Sequence, residues 1–145
     1  MTIYTSSPLE TEAVGADLAK RLDEAKITRA FIAMRGEMGV GKTAFTRGFA
    51  AHFGISGVKS PTYTIVNEYR GRVRIFHFDM YRITNGDDLY SIGYDDYIEA
   101  EGYSIAEWSE NIESEIPADA IFVTISRTDD TEGRRIDIDY ENLGI

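Results

Sequence analysis

Apolar positions fall into short runs separated by glycine-rich and charged turns, and their period changes along the chain. Ala30 to Met34 is a continuous apolar run of strand length. The segment after it, Thr43 to Phe53, places Phe45, Phe49 and Ala50 on one face of a helix that ends at Gly54. Upstream, Ile3 to Thr5 is a short strand candidate. Ser7-Pro8-Leu9-Glu10 then has the form of a capping box with proline at the first helical position. The helix it opens runs to about Ala25, with Leu9, Val14, Leu18 and Leu22 near helical spacing. Downstream, alternation in Tyr63 to Tyr69 and in Val73 to Phe78, joined by Arg70-Gly71-Arg72, predicts an antiparallel hairpin. Asn85-Gly86 is a turn before two acidic helical stretches, Asp87 to Gly93 and Tyr94 to Glu101. Tyr103 to Trp108 and Ile121 to Ser126 are further strands, and Ile136 to Tyr140 is expected to close the sheet. This order predicts an α/β fold with a mixed parallel and antiparallel sheet, in one domain spanning residues 1–145.

Between the Ala30 strand and the Thr43 helix, Gly36, Gly41, Lys42 and Thr43 match the phosphate-binding loop pattern G-x-x-x-x-G-K-[ST]. Gly36, Gly39 and Gly41 allow positive φ, so backbone N–H groups can curl around an anion. The helix N-terminus behind adds its partial positive charge. Lys42 can reach the β and γ phosphates, and the Thr43 hydroxyl can ligate Mg²⁺. A glycine turn with a solvated lysine is the alternative, but the strand before and the amphipathic helix after supply the context that the motif requires. The fold expected is therefore the three-layer P-loop NTPase-like one.

Composition narrows the class. No cysteine is present, which excludes disulfides and thiolate metal sites. The N-terminal residues lack a charged region followed by an apolar one, and no apolar run is long enough to span a bilayer. The expectation is a cytoplasmic protein with no membrane partner. The net charge of −10 is unevenly distributed, because residues 83–126 carry 11 acidic side chains and no Lys or Arg. That block repels a nucleic-acid backbone, and it is either a solvated face or a docking surface for a basic partner.

A P-loop ATPase also needs acids at strand ends facing the loop, to hold Mg²⁺ and orient the attacking water. The run Arg74-Ile75-Phe76-His77-Phe78-Asp79 is an apolar strand ending in one acid, and Ser104-Ile105-Ala106-Glu107 ends in another. On local sequence Asp79 is the first choice as metal ligand. Ser60 and Thr62 flank Pro61 in a loop that either senses the γ-phosphate or forms a simple turn. His77 reads as a core residue before a ligand, and Trp108 either walls the site or packs. The absence of an Asn-Lys-x-Asp motif favours ATP over GTP.

Taken together, Gly36-Glu37-Met38-Gly39-Val40-Gly41-Lys42-Thr43, Ser60-Pro61-Thr62-Tyr63, His77-Phe78-Asp79-Met80-Tyr81-Arg82 and Glu107-Trp108-Ser109-Glu110 resemble the bacterial TsaE family over nearly the whole chain. That resemblance implies a small Mg²⁺-dependent ATPase serving tRNA threonylcarbamoyladenosine formation with the TsaD and TsaB proteins, touching tRNA only through the complex. It implies catalytic roles for Lys42, Asp79 and Glu107. It gives Glu37, Met38, Gly39, Val40, Gly41, Lys42 and Thr43 as the phosphate cradle, Ser60 to Thr62 as a nucleotide-sensing loop, and Thr11 and Arg134 as further nucleotide contacts, to which the loop pattern adds Gly36 and the position after Glu107 adds Trp108. Thr43 and Glu107 become the Mg²⁺ ligands, which moves Glu107 ahead of Asp79. Ala44 departs from the family's usual second threonine after G-K-T. The competing class is a small-molecule or nucleoside kinase, which would need an Arg-rich lid that residues 83–126 do not supply.

Overall fold

The computed structural model describes residues 1–37, 39–59, 65–83 and 85–139. Ser7 opens the first helix as expected. Its Oγ accepts a hydrogen bond from the Glu10 amide at 3.2 Å, Pro8 holds the first helical position, and the Glu10 carboxylate reaches back to Ser6. In chain order the elements are β1 (Thr2–Thr5), α1 (Pro8–Glu24), β2 (Arg29–Arg35), α2 (Lys42–His52), β3 (Val66–Arg70), β4 (Arg74–Asp79), α3 (Gly86–Ser91) and α4 (Tyr94–Glu99). They continue with β5 (Gly102–Glu107), a 3₁₀ helix (Ser109–Glu115), β6 (Ile121–Arg127) and β7 (Arg134–Ile138).

Among the described residues the strands form one sheet in the order β1-β7-β6-β2-β5-β4-β3. The central strands β6, β2, β5 and β4 run parallel, while β3, β7 and β1 add antiparallel pairings at the two sides. Strand alternation divides the apolar side chains between the two faces. Ile32, Met34, Ile75, Ile105, Val123 and Ile125 face α1 and α2, whereas Phe31, Phe76, Phe78 and Ala106 face α3, α4 and the 3₁₀ helix. The result is a three-layer α/β arrangement with a mixed sheet.

Several boundaries differ from the sequence reading, each for a local reason. Leu9 is 77% exposed, because the buried stripe of α1 runs through Thr11, Val14, Gly15, Leu18, Ala19 and Leu22, on the opposite side of the helix. The second helix opens at Lys42, one residue early, with Gly41 in the left-handed region as its cap. β7 does not close the sheet; it lies inside β1, and the Met1 ammonium donates to the Ile138 carbonyl at 2.8 Å. The stretch after Trp108 forms a 3₁₀ helix that the pattern did not indicate. The acids of the 83–126 block have a structural use: Asp87, Asp88, Asp95 and Asp96 all occupy first turns of helices, where the dipole favours negative charge.

The helices α1 and α2 cross with their backbones touching. A Cβ added at Gly48 would lie 1.8 Å from the Glu12 carbonyl oxygen, and one at Gly15 would lie 2.0 Å from that of Phe45. Both clashes are with backbone, so neither is relieved by a side-chain rotation. Gly48→Ala is expected to lower unfolding free energy by about 3 kcal/mol, the upper end of the usual overpacking cost, with Arg47→Ala near neutral on the exposed face. Urea denaturation of the two variants checks this. An alanine tolerated at position 48 would mean that the helices are not pinned there.

At the far end of the same helices, Asp23 accepts two hydrogen bonds from Arg72, at 3.1 and 2.7 Å, and pairs with His52 at 2.9 Å. The Arg72 guanidinium, then His52, hold its carboxyl down at about 2, from an ordinary 3.8. A folded-state value below the unfolded one contributes stability above about pH 4, which is lost as pH falls through 2. The urea midpoint of the wild type should therefore fall more steeply between pH 4 and 2 than that of Asp23→Asn. Parallel curves would remove this network from acid stability.

Candidate functional site

β2 delivers the glycine-rich loop to the carboxyl-end edge of the sheet, between the ends of β5 and β6. Gly36, Gly39 and Gly41 all have positive φ, at 143°, 76° and 111°. Gly36 is fixed by space as well, since a Cβ there would sit 2.4 Å from the Ile125 carbonyl oxygen. From Gly41 the chain enters α2, whose first-turn N–H groups and dipole face the same edge, an arrangement suited to an anionic oxygen group.

Lys42 is 4% exposed. Its Nζ donates to the Gly36 carbonyl at 2.8 Å and lies 4.1 Å from the centroid of the Trp108 ring. Burial pushes its ammonium below the ordinary range, against the opposing pull of Glu107, Glu110 and Asp79. Three carboxylates thus act on one buried ammonium. Thr43, next along α2, is half-buried.

The two strand-end acids come together as the sequence suggested. Asp79 and Glu107 pair in register at the ends of the parallel strands β4 and β5. Alternation puts both on the α2 face, the face of Ile75 and Ile105. Asp79 Oδ1 accepts the Tyr81 amide at 3.0 Å, which holds the chain as it leaves β4. Glu107 is buried, and its Oε2 is 2.5 Å from Nε2 of His77, which is fully buried. His77 is therefore neither an ordinary core residue nor a remote one; it contacts a candidate site acid directly.

Trp108 follows Glu107 with φ of 58°, a left-handed conformation uncommon for a bulky side chain. This turn starts the 3₁₀ helix and lays the indole between Lys42 and Tyr81, whose ring centroid is 5.0 Å away. Ser109 Oγ donates to the Met34 carbonyl at 2.9 Å, and Asn111 Nδ2 to the Met80 carbonyl at 3.0 Å, so the turn is tied to β2 and to the end of β4. Trp108 thus covers Lys42 beside the loop and also packs against the second core.

Thr11 and Arg134 meet on the other flank of the loop. With Gly39, Val40 and Gly41 they line a cavity of about 150 Å³. Arg134 Nε donates to the Val40 carbonyl at 2.8 Å, and Thr11 is buried with its hydroxyl 2.9 Å from that of Thr5. Glu37 turns outward and pairs with Arg127 at 3.3 Å. Met38, Ser60 and Thr62 lie outside the described residues. Sequence reasoning missed Glu110, whose charge acts on Lys42, and Arg127, which braces the loop. The E-W-S-E spacing hinted at the first; nothing local marks the second.

Comparison with known proteins shows the family and the fold. The family model described as threonylcarbamoyl adenosine biosynthesis protein TsaE matches residues 5–136. The tRNA threonylcarbamoyladenosine biosynthesis protein TsaE of Bacillus subtilis is 36% identical over 136 residues, covering 88% of this chain and 78% of that one. The protein of the same description from Haemophilus influenzae is 40% identical over 114 residues, covering 77% and 71%. The crystal structure of Bacillus subtilis YdiB matches the fold with a TM-score of 0.74 at 30% identity, over 94% of this chain and 82% of that one. The matched span runs from β1 into β7 and contains the glycine-rich loop, Asp79 and Glu107, and the chain belongs to the TsaE family of tRNA threonylcarbamoyladenosine biosynthesis.

Proposed function

We propose that this protein is the Mg²⁺-dependent ATP-binding and ATP-hydrolysing component of tRNA threonylcarbamoyladenosine formation, acting in the cytoplasm with the TsaD and TsaB proteins and reaching tRNA only through them. One observation carries the reading. A buried lysine at the mouth of a glycine-rich loop shares its surroundings with two in-register strand-end carboxylates, on the face from which the loop's helix starts. The loop N–H groups and Lys42 hold the phosphates, and Thr11 and Arg134 border the flank for the rest of the nucleotide.

The residues fit Mg²⁺. Thr43, Asp79 and Glu107 offer hard oxygen donors, and the carboxylates around Lys42 outnumber it in charge, an imbalance that a divalent cation offsets. Thr43 and Glu107 would hold the ion together with phosphate oxygens. When bound, the ion neutralises charge on those oxygens. Asp79 orients the attacking water or the metal's water shell, and Lys42 draws negative charge off the phosphate being released. Turnover by the isolated chain is expected to be slow and to rise with TsaD and TsaB. Transfer of phosphate to an added nucleoside would instead establish a kinase.

Lys42→Ala should weaken ATP binding by about tenfold or more, the value of a charge-assisted contact, read by Trp108 fluorescence and calorimetry. Full affinity in that variant would remove the loop from the site. Glu107→Ala should reduce Mg²⁺-dependent turnover more than it reduces nucleotide binding without Mg²⁺. Equal losses in the two assays would take Glu107 out of the metal shell.

A further inference from the structure

Among the described residues the Glu107 carboxylate makes one hydrogen bond, with His77. His77 Nε2 lies 2.5 Å from Glu107 Oε2, with His77 fully buried and Glu107 7% exposed. Glu107 Oε1 takes no hydrogen bond from a described residue. His77 Nδ1 is also buried with no partner among the described residues. The two ring nitrogens are thus unequal, and the inequality assigns the proton. With hydrogen on Nε2, the ring donates to an ionised carboxylate and leaves only a bare acceptor at Nδ1. With hydrogen on Nδ1, a donor would be orphaned in the core, the rarer and costlier arrangement.

We propose that His77 is a positioning residue for Glu107: its Nε2–H pins Oε2 and so presents Oε1 to the mouth of the glycine-rich loop. This rests on the reading of Glu107 as a metal ligand given above. The placement supports it, because β4 runs between β3 and β5 at His77, whose register partners Asn67 and Ile105 flank it on the α2 face. Carboxylates that ligate a metal are themselves held by hydrogen bonds, and loss of such an outer-shell partner typically costs ten- to a hundredfold in metal affinity or activity.

Two nearly isosteric substitutions separate positioning from packing. In His77→Gln the side-chain amide nitrogen can occupy the place of Nε2 and donate to Glu107, whereas in His77→Asn it falls at the place of Nδ1 and cannot. Both introduce a buried amide, so both should lower the thermal unfolding midpoint. Mn²⁺ is the metal probe, its affinity measured by electron paramagnetic resonance with a non-hydrolysable ATP analogue bound to the full chain. Trp108 fluorescence gives analogue affinity without metal. His77→Asn should lose Mn²⁺ affinity by about tenfold with metal-free analogue affinity within twofold of wild type, and His77→Gln should retain most Mn²⁺ affinity. Equal Mn²⁺ affinity in Asn and Gln variants, whether both high or both low, overturns the proposal. Glu107→Ala is measured alongside. If it leaves Mn²⁺ affinity unchanged, the metal-ligand reading itself has failed; if it loses affinity while His77→Asn does not, only the role of His77 has.

Discussion

The contact on which the rest of the molecule depends is the crossing of α1 and α2 at Gly15 and Gly48. Main chain meets main chain there, leaving less than a methyl group of space. Packing through side chains would allow one helix to slide or roll over the other by a rotamer change, but backbone contact does not. The axis of α2 is therefore fixed, and with it the position of Gly41 and Lys42 at its first turn, where Thr11 of α1 also lies against the loop. The loop is held at its other end by Gly36 against β6 and at its middle by Arg134 on the Val40 carbonyl. Anchors of this kind lower the ordering cost of binding a ligand.

Charge at the site follows from where strands end. Parallel strands β4 and β5 place Asp79 and Glu107 side by side because their register is set by the sheet, independent of any attraction between the acids. Two like charges in register repel, and the structure offsets them locally: Asp79 takes the Tyr81 amide, Glu107 takes the His77 ring, and both act on Lys42. Glu110 adds a third carboxylate to that field from the 3₁₀ helix. The arrangement is acidic overall, with its one buried ammonium folded back on the loop.

What was legible in the sequence was what depends on neighbours along the chain. The Ser7 cap, the glycine-rich loop, the apolar strands and their terminal acids all follow from local spacing, and they came out in place. What depends on a distant partner did not. Gly48 is an unremarkable glycine in a helix until Glu12 is brought against it. Leu9 fits the helical spacing of α1, yet the sheet lies on the other side. His77 between two phenylalanines looks like core from its own strand, and only the pairing of β4 with β5 reveals Glu107 beside it. Trp108 is the sharpest case, because a tryptophan carries no signal for a left-handed backbone, and the 3₁₀ helix after it is imposed by the Ser109 and Asn111 tethers.

That tryptophan also joins the two layers on either side of the sheet. Lys42 belongs to the α2 layer, while Trp108 packs against the core formed with α3, α4 and the 3₁₀ helix. Any anion that draws the Lys42 ammonium forward competes with both the Gly36 carbonyl and the indole face. Releasing the indole frees its contact with Tyr81, which follows Asp79 and is more than half exposed. The segment from Met80 to Ile83 is also held by Asn111 and by main-chain hydrogen bonds. Lys42, Trp108 and Tyr81 make one continuous run of contacts from the glycine-rich loop to the protein surface.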